Sequence, residues 1–378
     1  MKLIFNFYIL LLLQVSCNSQ SFIKQRVPLI YKNTNKTSKV IISSEMNILK
    51  AKAFQLKQAL PKNYDVTGKV DYTTIIQDVI DKNSCVVFPD FPLLINSKGL
   101  TLRSNSTLFF GKKSKLFLLG NEEVGYEVLR IHNIKDVSLY APTIIGERDA
   151  HIGTKGEWGM GISIRGSEEV NIYNPNISNC WGDGIYIGTG KGVNKNIVIK
   201  NAFLDNNRRN GISVISAINL RIISPLITNT NGINPMAGID VEPNSNKEEL
   251  QNINIIDAIT FNNKNRGILV ALNNFYGTAT KDVSINIDNH MDDQSGFGIG
   301  MSLDSEDSSV RNSVKGVINI NNSIWKKNKI DAIQYYDLKN DQIKINFINS
   351  IIDNKNTSKA KMNVLKFKYK NFDWVKFK

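Results

Sequence analysis

Apolar residues fall in short runs along most of this chain, and one stretch near the start has helical spacing instead. Over Asp71–Lys82 (DYTTIIQDVIDK), Ile75, Ile76, Val79 and Ile80 recur at helical intervals, which predicts a short amphipathic helix with Thr73 or Thr74 as its N-terminal cap. The runs that follow, CVVFPDFPLLI, LTLRSNSTLFFG and KLFLLG, have strand length and are broken by Pro, Gly and Asn. They leave no room for further helices, so strand follows strand to the end.

One run recurs: MGISI, DGIYI, NGISV, AGIDV, RGILV and FGIGM, whose glycines are Gly161, Gly184, Gly211, Gly238, Gly267 and Gly298. The intervals are 23, 27, 27, 29 and 31 residues, which suit one coil each of a parallel β-helix with loops of growing size. DAIQY, with Ala332 and Ile333, reads as a degenerate seventh copy. A second repeated strand lies between copies (VNIYN, NIVIKN, NLRIIS, NINIID, VSINID), so each coil carries at least two strands. Strand side chains alternate, so the two aliphatics around one variable position point inward and stack on their equivalents above and below. Gly tolerates special backbone angles where the strand begins, and Asn206, Asn207, Asn229, Asn231, Asn262 and Asn263 suit left-handed corners. The helix at 71–82 is expected to cap the open N-terminal end of the core, and the basic segment KFKYKNFDWVKFK to cover the other. The predicted fold class is thus all-β, a single-stranded right-handed parallel β-helix over 61–378 with a short N-terminal capping helix.

Residues 1–17 (MKLIFNFYILLLLQVSC) have an early Lys, an apolar run from Leu3 to Leu13, and Ser16 directly before Cys17, the layout of an export signal too short to span a membrane. Residues 1–16 are read as a signal, with Cys17 as an acylated N-terminus in a lipoprotein reading or as part of an ordinary cleaved signal peptide in the simpler one. Gln14 stands where a lipobox has Leu. Both readings place the protein outside the cytoplasm, as an outer-membrane or cell-surface lipoprotein or as a periplasmic or secreted protein. Residues 17–60, rich in Lys, Ser, Asn and Thr, read as a tether and irregular or partly helical lead-in. Cys85 and Cys180 have neither disulfide-framework nor metal-ligand spacing and are expected to be buried apolar residues.

The chain of 378 residues carries 47 Lys and Arg against 34 Asp and Glu, a net charge of +13. That sign favours a polyanionic partner. The basic residues are scattered and accompany no nucleic-acid-binding motif, so acidic polysaccharide is the expected partner and nucleic acid is not. Membrane association is expected only through an N-terminal lipid, and the pattern leaves oligomeric state open.

Across roughly 65–350 the chain resembles the pectate-lyase-like right-handed β-helix proteins. The resemblance is carried by DYTTIIQDVIDKNSCVVFPDFPLLINSKGLTLRSNSTLFFG, by the repeated strands, and by the polar strings GERDAHIGTKGEWGMGI, NCWGDGIYIG, NNRRNGISV and AGIDVEPN. It implies a polysaccharide-active protein, with hydrolases, lyases, epimerases and esterases all on the same fold. Asp183 in Gly182-Asp183-Gly184 resembles the aspartate region of polygalacturonases, but Gly184 replaces the second Asp of that family's pair, and its Gly-His-Gly and Arg-Ile-Lys motifs are absent.

Candidate site residues follow from the alternation. Asp240 and Glu242 flank inward Val241, so both face outward, and such positions lie about 6.5–7 Å apart, near the lower end of the roughly 6.5–9.5 Å separation of inverting glycosidases. The same outward column holds Ser163, Tyr186, Ser213 and Leu269, each about 4.8 Å from the next. Asp183 and Arg266 precede repeat glycines, and Arg208 and Arg209 precede Asn210. Upstream, the segment 146–159 concentrates Glu147, Arg148, Asp149, His151, Glu157 and Trp158. Asp183, Asp240, Glu242 and His151 are the candidate catalytic groups. Arg148, Glu157, Trp158, Tyr186, Arg208, Arg209 and Arg266 are the candidate contacts to an anionic sugar. The alternatives are a hydrogen-bonding loop His, a core Trp181, and solvated or cation-binding acids.

The expected function is a glycoside hydrolase on a uronate-containing or sulfated glycan, needing no metal or cofactor. A lyase with an Arg or Lys base and Ca²⁺, or a non-catalytic glycan-binding surface protein, are the competing readings.

Overall fold

A computed structural model describes residues 22–305, 307–335, 340–353 and 375–377. The expected signal, Cys17 and most of KFKYKNFDWVKFK lie outside the described residues. From that last segment Val375–Phe377 adds a parallel strand beside Ile343–Ile348.

The chain winds into a right-handed β-helix whose coils each contribute three strands, so the described residues form parallel sheets of twelve, nine and ten strands. The nine-stranded sheet contains every Gly-Ile-x-Ile/Val copy, including Asp331–Tyr335. Its register stacks Ile162, Ile185, Ile212, Ile239, Ile268, Ile299 and Ile333 directly over one another. All are buried, and removing one such side chain from water contributes about 2 kcal/mol. From Thr143–Ile145 onward the third strand of each coil, such as Asn176–Ser178 or Leu226–Thr228, has only three residues. Too short for a periodicity, it merged with the neighbouring turn in the sequence pattern.

The repeat glycines serve a different purpose from the one expected. None of the six has a positive φ. Instead a Cβ on Gly161, Gly184, Gly211, Gly238 or Gly267 would lie 2.5–2.8 Å from the carbonyl oxygen of the next repeat glycine. The rungs approach too closely at that point for any side chain. Gly211→Ala is therefore expected to lower stability by about 3 kcal/mol through overpacking against backbone, read as a fall in the urea unfolding midpoint. The corner asparagines divide in two: Asn206, Asn229 and Asn262 are left-handed as expected, with φ of 59, 58 and 53°. Asn207, Asn231 and Asn263 are not left-handed. Asn207 and Asn263 are buried and accept from the amides of Cys180 and Thr230.

The predicted helix is α3, Thr73–Lys82, with Ile76, Val79 and Ile80 buried against the first coil. Neither Thr73 nor Thr74 caps it. Asp71 Oδ1 accepts from the Thr73 amide at 2.8 Å, because the acceptor must stand before the first turn and Thr73 already belongs to it. Cys180 is buried and Cys85 only half-buried. Before α3 the lead-in forms α1, Leu29–Thr37, and α2, Ser44–Lys52.

The inward column of the ten-stranded sheet changes from Ile227 to Thr260, Asp292 and Trp325 before returning to Ile352. Asp292 is buried and accepts from Thr260 Oγ1 and Ser295 Oγ at 2.6 Å and from Asn328 Nδ2 at 2.6 Å. Burial, opposed by these donors, pushes its carboxyl up to about 7. A carboxyl whose pKa is higher folded than unfolded loses stability as pH rises between those values. Relative to the parent, Asp292→Asn should therefore gain stability from about pH 4 to pH 7, by roughly 4 kcal/mol over that span. Urea titrations at both ends of the window check this; a pH-independent difference would contradict it.

Candidate active site

The outer face of the nine-stranded sheet is where the polar repeat positions meet. Register places Ser163, Tyr186, Ser213, Asp240 and Leu269 in one outward column. Asp183 and Asn210 lie on the same face just before their repeat glycines. The aliphatics on either side of each position in the Ser163–Leu269 column are committed to the core, which leaves the column's side chains no other direction. They nevertheless end up covered: Asp183, Ser213, Asn210 and Asp240 are all buried.

Asp183 is held by four contacts. Ser213 Oγ donates to its Oδ2 at 2.8 Å, the Asn210 amide donates to Oδ1 at 3.0 Å, and Arg209 Nη1 lies 3.2 and 3.4 Å from the two oxygens. Burial pushes this carboxyl up, and the guanidinium and donors work against it. One rung further on, Asn210 Nδ2 donates to Asp240 Oδ2 and to Ser213 Oγ, both at 3.0 Å. Among the described residues no N–H or O–H donates to the buried Asp240 Oδ1. Its neighbour is the Glu242 carboxyl, within hydrogen-bonding contact. Burial, followed by the Glu242 charge, raises Asp240 well above the usual range. The carboxyls of the strand pair thus converge, closer than the backbone spacing of their positions.

Arg209 lies at the centre. Besides Asp183 it reaches Glu157 through Nε at 3.8 Å and Glu242 through Nη2 at 4.0 Å. Burial works to lower its pKa, but Asp183, Asp240, Glu242 and Glu157 together raise it, so the guanidinium stays charged. Asp183 and Asp240 are sealed beneath it, whereas Glu242 and Glu157 have side chains 31% and 32% exposed. Trp158, next to Glu157, is 53% exposed. A buried carboxyl with a raised pKa, a fixed cation, two accessible carboxylates and an open aromatic face therefore occupy one surface.

The structure does not bring the other expected residues to this cluster. Arg148 spends its guanidinium on Asn206 O at 2.9 Å and Asn231 Oδ1 at 2.8 Å, at a corner. His151 is buried, stacked on Trp181 at 3.7 Å with Nδ1 3.2 Å from Glu147. Arg208 lies over the same indole at 3.7 Å and donates to Gly156 O at 2.8 Å. These three brace the 146–159 loop against the coil instead of facing solvent. Arg266 Nε donates to Gln334 two rungs later, at 2.7 Å. Tyr186 is buried beneath Arg165, 4.5 Å from ring centre to guanidinium carbon.

Sequence reasoning missed a second polar group on this face. Arg165 Nε is 3.1 Å from both Glu127 Oε1 and Ser163 Oγ, and His132 Nε2 is 3.1 Å from Ser163 Oγ. Arg165 stands two positions after Ser163 on one strand, so extending the alternation past the five-residue repeat would have found it. Glu127 and His132 lie on Gly125–His132, whose sequence lacks the repeat glycine motif. Among the described residues no group of three or more His, Cys, Asp or Glu side chains is placed to hold a metal ion.

The fold is a right-handed parallel β-helix, here with a buried carboxyl cluster on one outer sheet face. No family model matches the chain. It is 29% identical over 161 residues to the uncharacterized protein YclG of Bacillus subtilis (strain 168), a match covering 38% of this chain and 27% of that protein. The chain thus matches only about a quarter of the length of the curated relatives. Among solved structures, the surface protein and adhesin PfbA of Streptococcus pneumoniae superposes with a TM-score of 0.55 at 14% identity, over 80% of this chain and 86% of that one. The polygalacturonase of Erwinia carotovora ssp. carotovora does so with a TM-score of 0.50 at 14% identity, over 79% and 95%. At such identities the likeness establishes the fold alone.

Proposed function

We propose that this protein is an exported hydrolase that cleaves an acidic polysaccharide, uronate-containing or sulfated, along the outer face of its nine-stranded sheet. The reading is carried by one observation: buried Asp240 beside half-buried Glu242, a pair in which burial and then the Glu242 charge raise the Asp240 carboxyl well above the ordinary carboxylate range. Such a pair donates a proton to the glycosidic oxygen as the bond to the anomeric carbon breaks. Because Asp240 and Glu242 are too close to admit a water between them, the base is a different group. Glu157, on another nitrogen of Arg209, takes the proton of the water that adds to the anomeric carbon. Arg209 keeps the carboxylates apart and meets the substrate's negative charge, and Trp158 offers a face to a sugar ring. The step needs no cofactor. Attachment through Cys17 is part of the same proposal and would hold the enzyme at a membrane surface.

A panel of polysaccharides weighted toward uronates and sulfated glycans tests the reading. New reducing ends without near-ultraviolet absorbance are the expected outcome. An unsaturated product absorbing there would establish a lyase, and binding without turnover would establish a non-catalytic surface protein.

A further inference from the structure

The lead-in forms a strap that crosses the ten-stranded sheet. The Asn262 side chain donates to Ile23 O at 3.1 Å, and Asn229 exchanges a pair of hydrogen bonds with the Gln25 backbone at 3.0 and 3.1 Å. Val27 and Tyr31 then pack on Leu226, Ile259 and Phe261. At the opposite corner Asn35 donates to Asn201, and Asn174 exchanges a second pair of bonds with the Val40 backbone, both at 2.9 Å. The strap is therefore seated by backbone and inward groups, which leaves its outer side chains uncommitted.

Those outer side chains have an unusual composition. Leu29 and Ile30 are 66% and 69% exposed, and Ile23 and Ile41 are more exposed still. Between them stand Arg26, Lys36 and Lys39, all exposed. Residues 22–44 include no Asp or Glu. Exposed aliphatics interleaved with positive charge and no negative charge complement a surface that is anionic outside and apolar just beneath, an anionic lipid bilayer.

We infer that the strap is a membrane-docking surface that lays the ten-stranded sheet against anionic lipid headgroups. The acid cluster is on the nine-stranded sheet, a different face of the coil, so docking leaves it open to polymer. This inference stands independently of the hydrolase reading, since it concerns binding alone.

Sedimentation of the full chain with phosphatidylcholine vesicles, with and without phosphatidylglycerol, tests it. The strap is expected to give binding with a preference for the anionic kind. The R26E/K36E/K39E variant should lower affinity for anionic vesicles by at least about tenfold, while K191E/K195E/K247E, with the same change in net charge at exposed lysines away from the strap, stays within about twofold of the parent. All six positions lack core contacts, and unchanged thermal unfolding confirms that both variants fold. Equal losses in the two variants, or no preference for anionic vesicles in the parent, would overturn the inference. So would a strap variant that keeps its vesicle binding and instead loses binding to a soluble acidic polysaccharide.

Discussion

Asp240→Asn is expected to reduce kcat on the cleaved polysaccharide by roughly 10³-fold with little change in KM, the typical magnitude for loss of a positioned acid. The carboxamide keeps the volume and can still accept from Asn210 Nδ2, so the fold should survive. Glu242→Gln tests the coupling of the pair. The Glu242 charge helps to raise Asp240, so its removal lowers the Asp240 pKa and moves the alkaline limb of the pH–rate profile toward lower pH. The sign is fixed by the roles, since an acid must be protonated to act and activity falls as pH passes its pKa. If the limb stays where it is in Glu242→Gln, Asp240 is not the acid. Intact kcat in Asp240→Asn would remove the pair from the mechanism altogether.

Arg209→Met should cost about 3–5 kcal/mol of folding stability, the usual effect of breaking a buried ion pair from one side. The remaining acid, Asp183, is buried and loses the cation paired with it. Its folded pKa then rises further above the unfolded value, so the deficit grows with pH and shrinks as Asp183 becomes protonated. The double variant D183N/R209M removes both charges and should recover most of the stability without recovering activity. Unfolding titrations at mildly acidic and mildly alkaline pH measure both statements. A deficit that is equal at the two pH values, or a double variant no more stable than Arg209→Met, would show that Arg209 contributes packing and not charge.

The β-helix was legible because its physics is local and repeated. An inward aliphatic on every rung leaves its mark at the same place in each copy, and the degenerate Ala332-Ile333 copy still pairs in register. The site was legible in part for the same reason. Asp240 and Asp183 stood out against Ser, Tyr and Asn at equivalent positions, and Arg209 stood beside one of them. Arg148, Arg208 and His151 were misdirected because they belong to loops, where no alternation specifies which way a side chain points. A polar residue in a Gly-punctuated loop is as able to brace a corner as to meet a ligand, and these three brace. Glu157 lay in the same loop and was read as a contact only, although its position on Arg209 makes it the second accessible carboxylate.

Alternation and interval determined the coil, the inward aliphatics and the outer face on which the polar residues would lie, because strand geometry converts spacing directly into direction. Tertiary structure decided what happens on that face. The raised Asp240 carboxyl depends on burial by other coils, and the fixed charge on four acids drawn from three coils to one guanidinium. Neither of these is a property of a single strand. Equally, the repeat glycines are required by a carbonyl one rung away, a neighbour that is some 27 residues distant in the chain around Gly211 and exists only once the coils stack.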